Sequence, residues 1–160
     1  MNLFKRKKSS EKNKFKFSWI SANELAVGSF PKNSSDKKLL QSQGIKGVLS
    51  LCSINEVKEN IPDNIFEGFN HKRIILPDHK VSRKLTIDEI LKTLEALSKL
   101  INEPPVFVHC VASMERSPLI CIAWLMKTKN LPFQNALDYV LQVHPGTNPL
   151  SSQMELLKKL

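Results

Sequence analysis

The stretch Val106–Pro118, VFVHCVASMERSP, decides the fold, because a strand-like apolar run leads into Cys110, and Arg116 follows six positions later. The Ser-Pro pair that ends the stretch indicates a helix start, since proline is favoured in the first turn. The loop amides can then form a concavity at a helix N-terminus, which binds anions and favours a thiolate over a thiol. We therefore expect a nucleophilic Cys110 at the base of an anion site, where the planar Arg116 guanidinium matches two phosphate oxygens.

Outward from this stretch, the chain alternates strand and helix patterns. Strand patterns lie around Trp19 and at residues 25–28, 45–52, 71–77 and 104–110. Helix patterns begin at Ser34 or Ser35 and stop at Gly44, and then cover residues 86–101, 117–129, 132–142 and 149–160. Strands separated by helices predict an α/β fold, with a mostly parallel sheet of four to five strands flanked by helices. Ligands bind such folds at the carboxyl ends of the strands, where Cys110 lies.

Length and composition set the class of protein. A chain of 160 residues is long enough for one domain with its own core. Its three cysteines (Cys52, Cys110, Cys121) are odd in number, which favours a reducing compartment over a disulfide framework. No CxxC or HExxH pattern occurs, so we expect no metal. With no apolar run near twenty residues and no secretory signal pattern at the start, we expect a cytoplasmic protein.

The net charge of +9 is concentrated at the N-terminus. Residues 1–16 hold seven basic side chains and one acid, so the rest of the chain carries about +3. A charge block of this kind predicts a disordered, solvated tail over residues 1–17. The alternative is an electrostatic contact with an anionic membrane or a nucleic acid, which salt would weaken.

The motif His109-Cys110, five residues, then Arg116-Ser117 resembles the HCx5R[S/T] signature of the cysteine-dependent protein phosphatases, closest to the dual-specificity branch. The resemblance covers most of residues 18–160, which we expect to be one catalytic domain. The other segments in the family's order are WISANELAVGSFP, GIKGVLSL with Glu56 nearby, ILPD and HPGTNPLSSQMELL. The resemblance implies a protein tyrosine phosphatase-like fold and cofactor-free hydrolysis of phosphate monoesters through a phosphocysteine. Phosphotyrosine, phosphoserine or phosphothreonine of a protein is then the main substrate class.

The family also needs a general acid, because an alkoxide is a poor leaving group at neutral pH. Asp78 is the prediction, since it follows a strand end in a polar loop and precedes Cys110 by 32 residues, a spacing similar to the family's. Asp88 is the alternative, although its place in the first turn of a helix is explained by capping. Asp63 fits a turn residue.

The resemblance assigns the remaining roles around Cys110. The loop Val111, Ala112, Ser113, Met114, Glu115, Arg116, called here the phosphate loop, binds the phosphate through its amides and the Arg116 side chain. The Ser117 hydroxyl helps the sulfur to leave. His109 orders the loop through a backbone hydrogen bond, and Asn148 supports it.

Two loop positions depart from the family. Ser113 stands where the family usually has Gly, so a positive φ there would strain the backbone. Glu115 places a negative charge in or beside the loop, and the loop carries no Lys, which disfavours a highly charged lipid. Phosphoinositide, RNA 5′-phosphate and sugar phosphate substrates stay open, as does a phosphate-binding pseudophosphatase without turnover.

Cys52 ends one predicted strand and Cys110 ends another. If the two strands are neighbours in a parallel sheet, both thiols lie at one edge of it, near disulfide distance. Cys52 is then a possible redox partner that protects Cys110 from irreversible oxidation. The alternative is a small buried hydrophobe. Cys121, inside an apolar helix pattern, is predicted to lie in the core.

Overall fold

The computed structural model describes residues 14–160. Most of the predicted basic tail, residues 1–13, lies outside the described residues. Within residues 14–160, no helix is both long and apolar enough to cross a membrane.

A five-stranded sheet forms the centre of the domain. Its strands are β1 (Phe17–Ser21), β2 (Leu25–Gly28), β3 (Gly47–Ser50), β4 (Asn70–Arg73) and β5 (Val106–His109), and their order across the sheet is β1-β2-β5-β3-β4. β1 and β2 form an antiparallel hairpin, whereas the other neighbouring pairs are parallel. β5 therefore lies in the middle, and each of its residues is buried. This confirms the predicted α/β fold and its mostly parallel sheet.

Over residues 14–160, five α-helices accompany the sheet, with a single 3-10 turn at Ile54–Glu56. The helices are α1 (Ser34–Ser42), α2 (Ile87–Ile101), α3 (Arg116–Thr128), α4 (Phe133–Val143) and α5 (Ser151–Leu157). The last four share one core cluster, which α3 crosses as a buried helix beside β2 and β5. A smaller, aromatic-rich cluster contains Leu40 of α1 and Phe107 of β5. The sheet is thus covered on both faces, as parallel sheets require.

Local capping explains where the helices begin. Thr86 and Glu89 form a capping box at the start of α2, in which each side chain accepts from the other's backbone N–H. For α1 the predicted cap, Ser34 or Ser35, is wrong. Asn33 caps this helix because it keeps an extended backbone and its side chain accepts from the N–H of Asp36.

The strands are shorter than the sequence predicts. The apolar pattern over residues 45–52 corresponds to a strand at 47–50. The pattern over residues 71–77 corresponds to a strand that begins one residue earlier and ends at residue 73. The flanking residues still pair, since Leu51 N–H donates to His109 O and Leu76 N–H donates to Leu51 O. Apolar runs therefore predicted the position of each strand better than its ends.

Part of the predicted tail, residues 14–17, lies within the described residues and contacts the domain. The predicted tail extends through residue 17, yet Phe15 and Phe17 pack on the ring of Phe107, with centroid distances of 5.9 and 5.7 Å. Lys16 also bonds Ser29 through its backbone. The apolar side chains at positions 15 and 17 are the physical reason, because they cover an aromatic face of the sheet that would otherwise meet water.

Candidate active site

Cys110 lies directly after β5 and the phosphate loop connects it to α3, as the sequence predicts. The cysteine is 3% exposed, and its Sγ is 3.2 Å from the Ser117 Oγ in the first turn of α3. The loop is thus held between the central strand and the N-terminus of a buried helix. That geometry supplies backbone N–H groups and a helix dipole to an anion.

Arg116 is held by partners from distant parts of the chain. Its guanidinium forms two bonds to the Glu56 carboxylate, at 2.9 and 3.3 Å, and donates to the backbone O of Leu76 at 3.0 Å. Burial disfavours the charge, but the Glu56 bond and the nearby Cys110 outweigh it, so the pKa of Arg116 is raised. Sequence reasoning gave Glu56 no role. Its position just after β3, at the same sheet edge as Cys110, was the available signal.

Asp78 lies in the same cleft as Cys110 and Arg116. Its side chain is 15% exposed, and one carboxylate oxygen is 3.9 Å from an Arg116 Nη. The other oxygen accepts from the N–H of Lys80, which orients the carboxylate within its loop. The alternatives lie elsewhere, since Asp88 is in the first turn of α2, Asp63 is in a turn, and neither lines the cleft.

The cleft has a volume of about 440 Å³. Its lining residues are Glu56, Asp78, His79, Lys80, Cys110, Val111, Ala112, Met114, Glu115, Arg116, Asn148 and Leu150. A second cleft of about 290 Å³ shares Asp78, His79 and Leu150 with it and continues past Val81 and Lys84. Asn148 supports the phosphate loop through its backbone N–H, which donates to Met114 O at 2.6 Å.

His109 is completely buried and faces away from the cleft. Its Nδ1 donates to the carbonyl of Cys110 at 2.9 Å, so its Nε2 accepts from the Ser50 hydroxyl at 2.6 Å. Burial lowers the pKa of His109 to about 3, which keeps the ring neutral. The geometry agrees with the predicted ordering role and leaves His109 without contact to the cleft.

Ser113 does not line the cleft, whereas Glu115 lies at the rim of the cleft. Ser113 has φ of 58° and is buried, where its Oγ is 2.9 Å from His144 Nε2. Glu115 lies at the rim, where its carboxylate bonds His79 Nδ1 and Gln153 Nε2, each at 2.9 Å. Its negative charge is therefore partly compensated at the rim. His79, His144 and Gln153 were missed because nothing local in the sequence connects them to residues 31 to 38 positions away.

Cys52 and Cys110 lie near the carboxyl ends of neighbouring strands, because β3 pairs with β5. Both are free and buried. Burial, followed by the nearby Cys110, raises the pKa of Cys52 to about 12. Cys121 lies in the core on α3, as predicted.

Solved structures with the same fold include Tk-PTP in its active form, with a TM-score of 0.75 and 22% identity over 90% of this chain and 95% of that one. Another is PTPMT1 in complex with PI(5)P, with a TM-score of 0.75 and 18% identity over 89% and 92%. At these identities the likeness establishes the fold.

Sequence relatives establish the family. Dual specificity protein phosphatase 1-B of Xenopus laevis is 32% identical over 124 residues, which are 76% of this chain and 31% of that protein. This chain thus spans about a third of the length of that relative. The family profile described as the dual specificity phosphatase catalytic domain matches residues 25–160. The chain therefore belongs to the dual specificity phosphatase family.

Proposed function

We propose that this domain hydrolyses phosphate monoesters through a phosphocysteine intermediate, with phosphotyrosine and phosphoserine or phosphothreonine of proteins as substrates. The observation that supports it is the meeting of the Cys110 sulfur, the Arg116 guanidinium and the Asp78 carboxyl in one cleft. Each group has one task in a two-step displacement.

In the first step the Cys110 thiolate attacks phosphorus. The S–P bond forms while the bond from phosphorus to the leaving oxygen breaks, and Asp78 gives its proton to that oxygen. Arg116 and the amides of the phosphate loop stabilise the equatorial oxygens. Glu56 and the Leu76 carbonyl fix the guanidinium before substrate arrives, so little reorganisation is needed during the reaction.

In the second step water replaces the cysteine. Asp78, now a carboxylate, takes a proton from the water that attacks phosphorus, and the S–P bond breaks to release inorganic phosphate. The Ser117 hydroxyl, 3.2 Å from the sulfur, stabilises the departing thiolate. The enzyme returns to its starting state without a cofactor.

Charge and shape favour a protein substrate over a highly phosphorylated lipid. Three carboxylates (Glu56, Asp78, Glu115) line the cleft together with Arg116, Lys80 and His79, which leaves few cations for additional phosphates. The second cleft beside Asp78 gives room for residues that flank a phosphorylated side chain. A free sugar phosphate would not use that surface. The PI(5)P-bound neighbour shares the fold only.

A substrate panel tests the proposal. Phosphate release is measured from phosphotyrosine, phosphoserine and phosphothreonine peptides, a monophosphorylated inositol lipid in vesicles, 5′-phosphorylated RNA and a sugar phosphate. We expect a phosphopeptide to exceed every non-protein substrate by at least about tenfold in kcat/KM. Faster release from lipid, RNA or sugar would contradict the substrate class. Phosphate binding without release from any substrate would indicate a binding module.

The role of Cys52 as redox partner of Cys110 is a separate proposal. Its support is that β3 and β5 are neighbours, which brings two free, buried cysteines to the carboxyl edge of the sheet. Peroxide oxidises the Cys110 thiolate to a sulfenic acid and is itself reduced to hydroxide. The Cys52 thiolate then attacks the Cys110 sulfur, the S–O bond breaks, and hydroxide leaves and takes a proton from solvent, so that a disulfide forms that dithiothreitol reduces. The raised pKa of Cys52 makes this step slow at neutral pH and faster at higher pH.

We therefore expect wild-type protein to recover more activity than Cys52→Ser after mild peroxide and dithiothreitol. The difference should be larger at pH 8.5 than at pH 7, because the fraction of Cys52 that is thiolate rises over these ~1.5 pH units. The matched control is Cys121→Ala, whose thiol is buried on α3. Mass spectrometry of the oxidised protein identifies the Cys52–Cys110 peptide pair. Equal recovery of Cys52→Ser and wild type at both pH values would reject the disulfide.

A further inference from the structure

Ser113 occupies a backbone position that normally belongs to glycine. Its φ of 58° lies in the left-handed region, where a β-carbon is disfavoured. The side chain is also completely buried, although a serine gains little from burial. Such a residue persists where its surroundings hold it, so the contacts of its hydroxyl are informative.

The Ser113 hydroxyl is the middle of a chain of polar contacts that ends on the nucleophile. Its Oγ is 2.9 Å from His144 Nε2 and 3.2 Å from Ser117 Oγ. The Ser117 Oγ is in turn 3.2 Å from Cys110 Sγ. At the outer end, His144 Nδ1 is 2.8 Å from Ser18 Oγ. This series of hydrogen bonds therefore runs from β1 through the start of α3 to the sulfur.

The direction of the hydrogen bonds follows from one carbonyl group. His144 Nε2 is 3.0 Å from the backbone O of Ser113, which can only accept, so Nε2 carries the proton. The same N–H points at the Ser113 Oγ, which thus accepts and is left to donate its own proton to Ser117. Ser117 then donates to the sulfur. Because burial lowers the pKa of His144, the ring is neutral and its Nδ1 accepts from Ser18.

We propose that Ser113 and His144 are positioning residues that direct the Ser117 hydroxyl onto the Cys110 sulfur. Hydrogen bonds in a series polarise one another, so the donors at His144 and Ser113 strengthen the final bond, from the Ser117 hydroxyl to the Cys110 sulfur. The thiolate is the better acceptor and is favoured over the thiol. The catalytic consequence rests on the proposed function, since the same bond would assist attack by the thiolate and its later departure.

The test measures the thiolate directly, besides activity. Cys110 is alkylated with iodoacetamide, which is neutral, and labelling of its peptide is followed by mass spectrometry across pH. Ser113→Gly suits the left-handed backbone and removes only the hydroxymethyl group. We expect its alkylation midpoint to move up by about 0.5 pH units and kcat for an aryl phosphate to fall about three- to fivefold, with KM unchanged.

His144 variants separate positioning from simple structural support. His144→Ala should raise the alkylation midpoint of Cys110 as Ser113→Gly does. His144→Gln should raise it less, because the amide nitrogen of Gln can replace the Nε2–H donor. The stability control is Thr93→Ala, which removes a buried hydroxyl bonded only within α2. We expect this control to lower the melting temperature without moving the alkylation midpoint.

An unchanged midpoint in Ser113→Gly and His144→Ala would overturn the proposal and leave both residues as packing elements. Equal midpoints for His144→Ala and His144→Gln, both shifted, would overturn the part played by the Nε2–H. If the wild type hydrolyses no phosphate monoester, the proposed function fails, while the alkylation profiles still decide the positioning role.

Discussion

Cys110→Ser is expected to reduce hydrolysis of an aryl phosphate by at least about a thousandfold, to the background rate of the assay. A serine hydroxyl keeps the bond to Ser117 but is not ionised at neutral pH, so no phosphoenzyme forms. The variant should still fold, because serine is smaller than cysteine and its hydroxyl can bond the Ser117 Oγ. Phosphate release and thermal unfolding are measured on the same preparation.

The matched control for this variant is Cys121→Ala. It removes a buried thiol from α3 without touching the cleft, so hydrolysis should stay within about threefold of wild type. The proposed mechanism would be abandoned if Cys110→Ser kept activity within tenfold of wild type, or if both cysteine variants lost it equally. Inorganic phosphate should still bind to Cys110→Ser, because the Arg116 pair with Glu56 is independent of the sulfur.

The part of the site that the sequence predicts lies within one short segment. Cys110, Arg116 and Ser117 are joined by a strand end, a loop and a helix start, so their meeting needs only local geometry. The same reasoning singled out Ser113 as a residue that a positive φ would strain, and its φ in the structure is 58°. Local rules succeed there because turn geometry depends mainly on residues within a few positions.

The rest of the site depends on contacts across the chain. Glu56 bonds an arginine 60 positions later, and His144 reaches a serine 31 positions before it. A single sequence gives no distance between such residues until the strand order is known. Only the rule that ligands gather at the carboxyl edge of a parallel sheet could have indicated Glu56.

Strand ends were difficult to predict for a related reason. Apolar character continues past the hydrogen-bonded part of β3 because Leu51 and Cys52 are also buried. Burial and strand pairing are separate properties, and the apolar pattern reports the first of them. The edge strand β4 shows the opposite case, since its residues are mainly exposed and polar and yet pair with β3.

Asp78→Asn is expected to lower kcat on a phosphopeptide by about 10²- to 10⁴-fold, the range in which general acids contribute. A serine or threonine alkoxide cannot leave readily without a proton, whereas a nitrophenolate leaves well unprotonated. The loss on p-nitrophenyl phosphate should therefore be much smaller. Asparagine keeps a carbonyl oxygen that can accept from Lys80 N–H, so the loop geometry is retained.

The pH dependence provides an independent test of the same residue. In wild type the alkaline limb of the kcat profile reports loss of the proton that the acid donates, so this limb should flatten in Asp78→Asn. The matched controls are Asp88→Asn and Asp63→Asn, which make the same chemical change outside the cleft. If either control showed the leaving-group dependence, or if Asp78→Asn lost equal activity on both substrates, the proton would have to come from another group. His79 and Glu115, paired at the rim of the cleft, would be the next residues to replace.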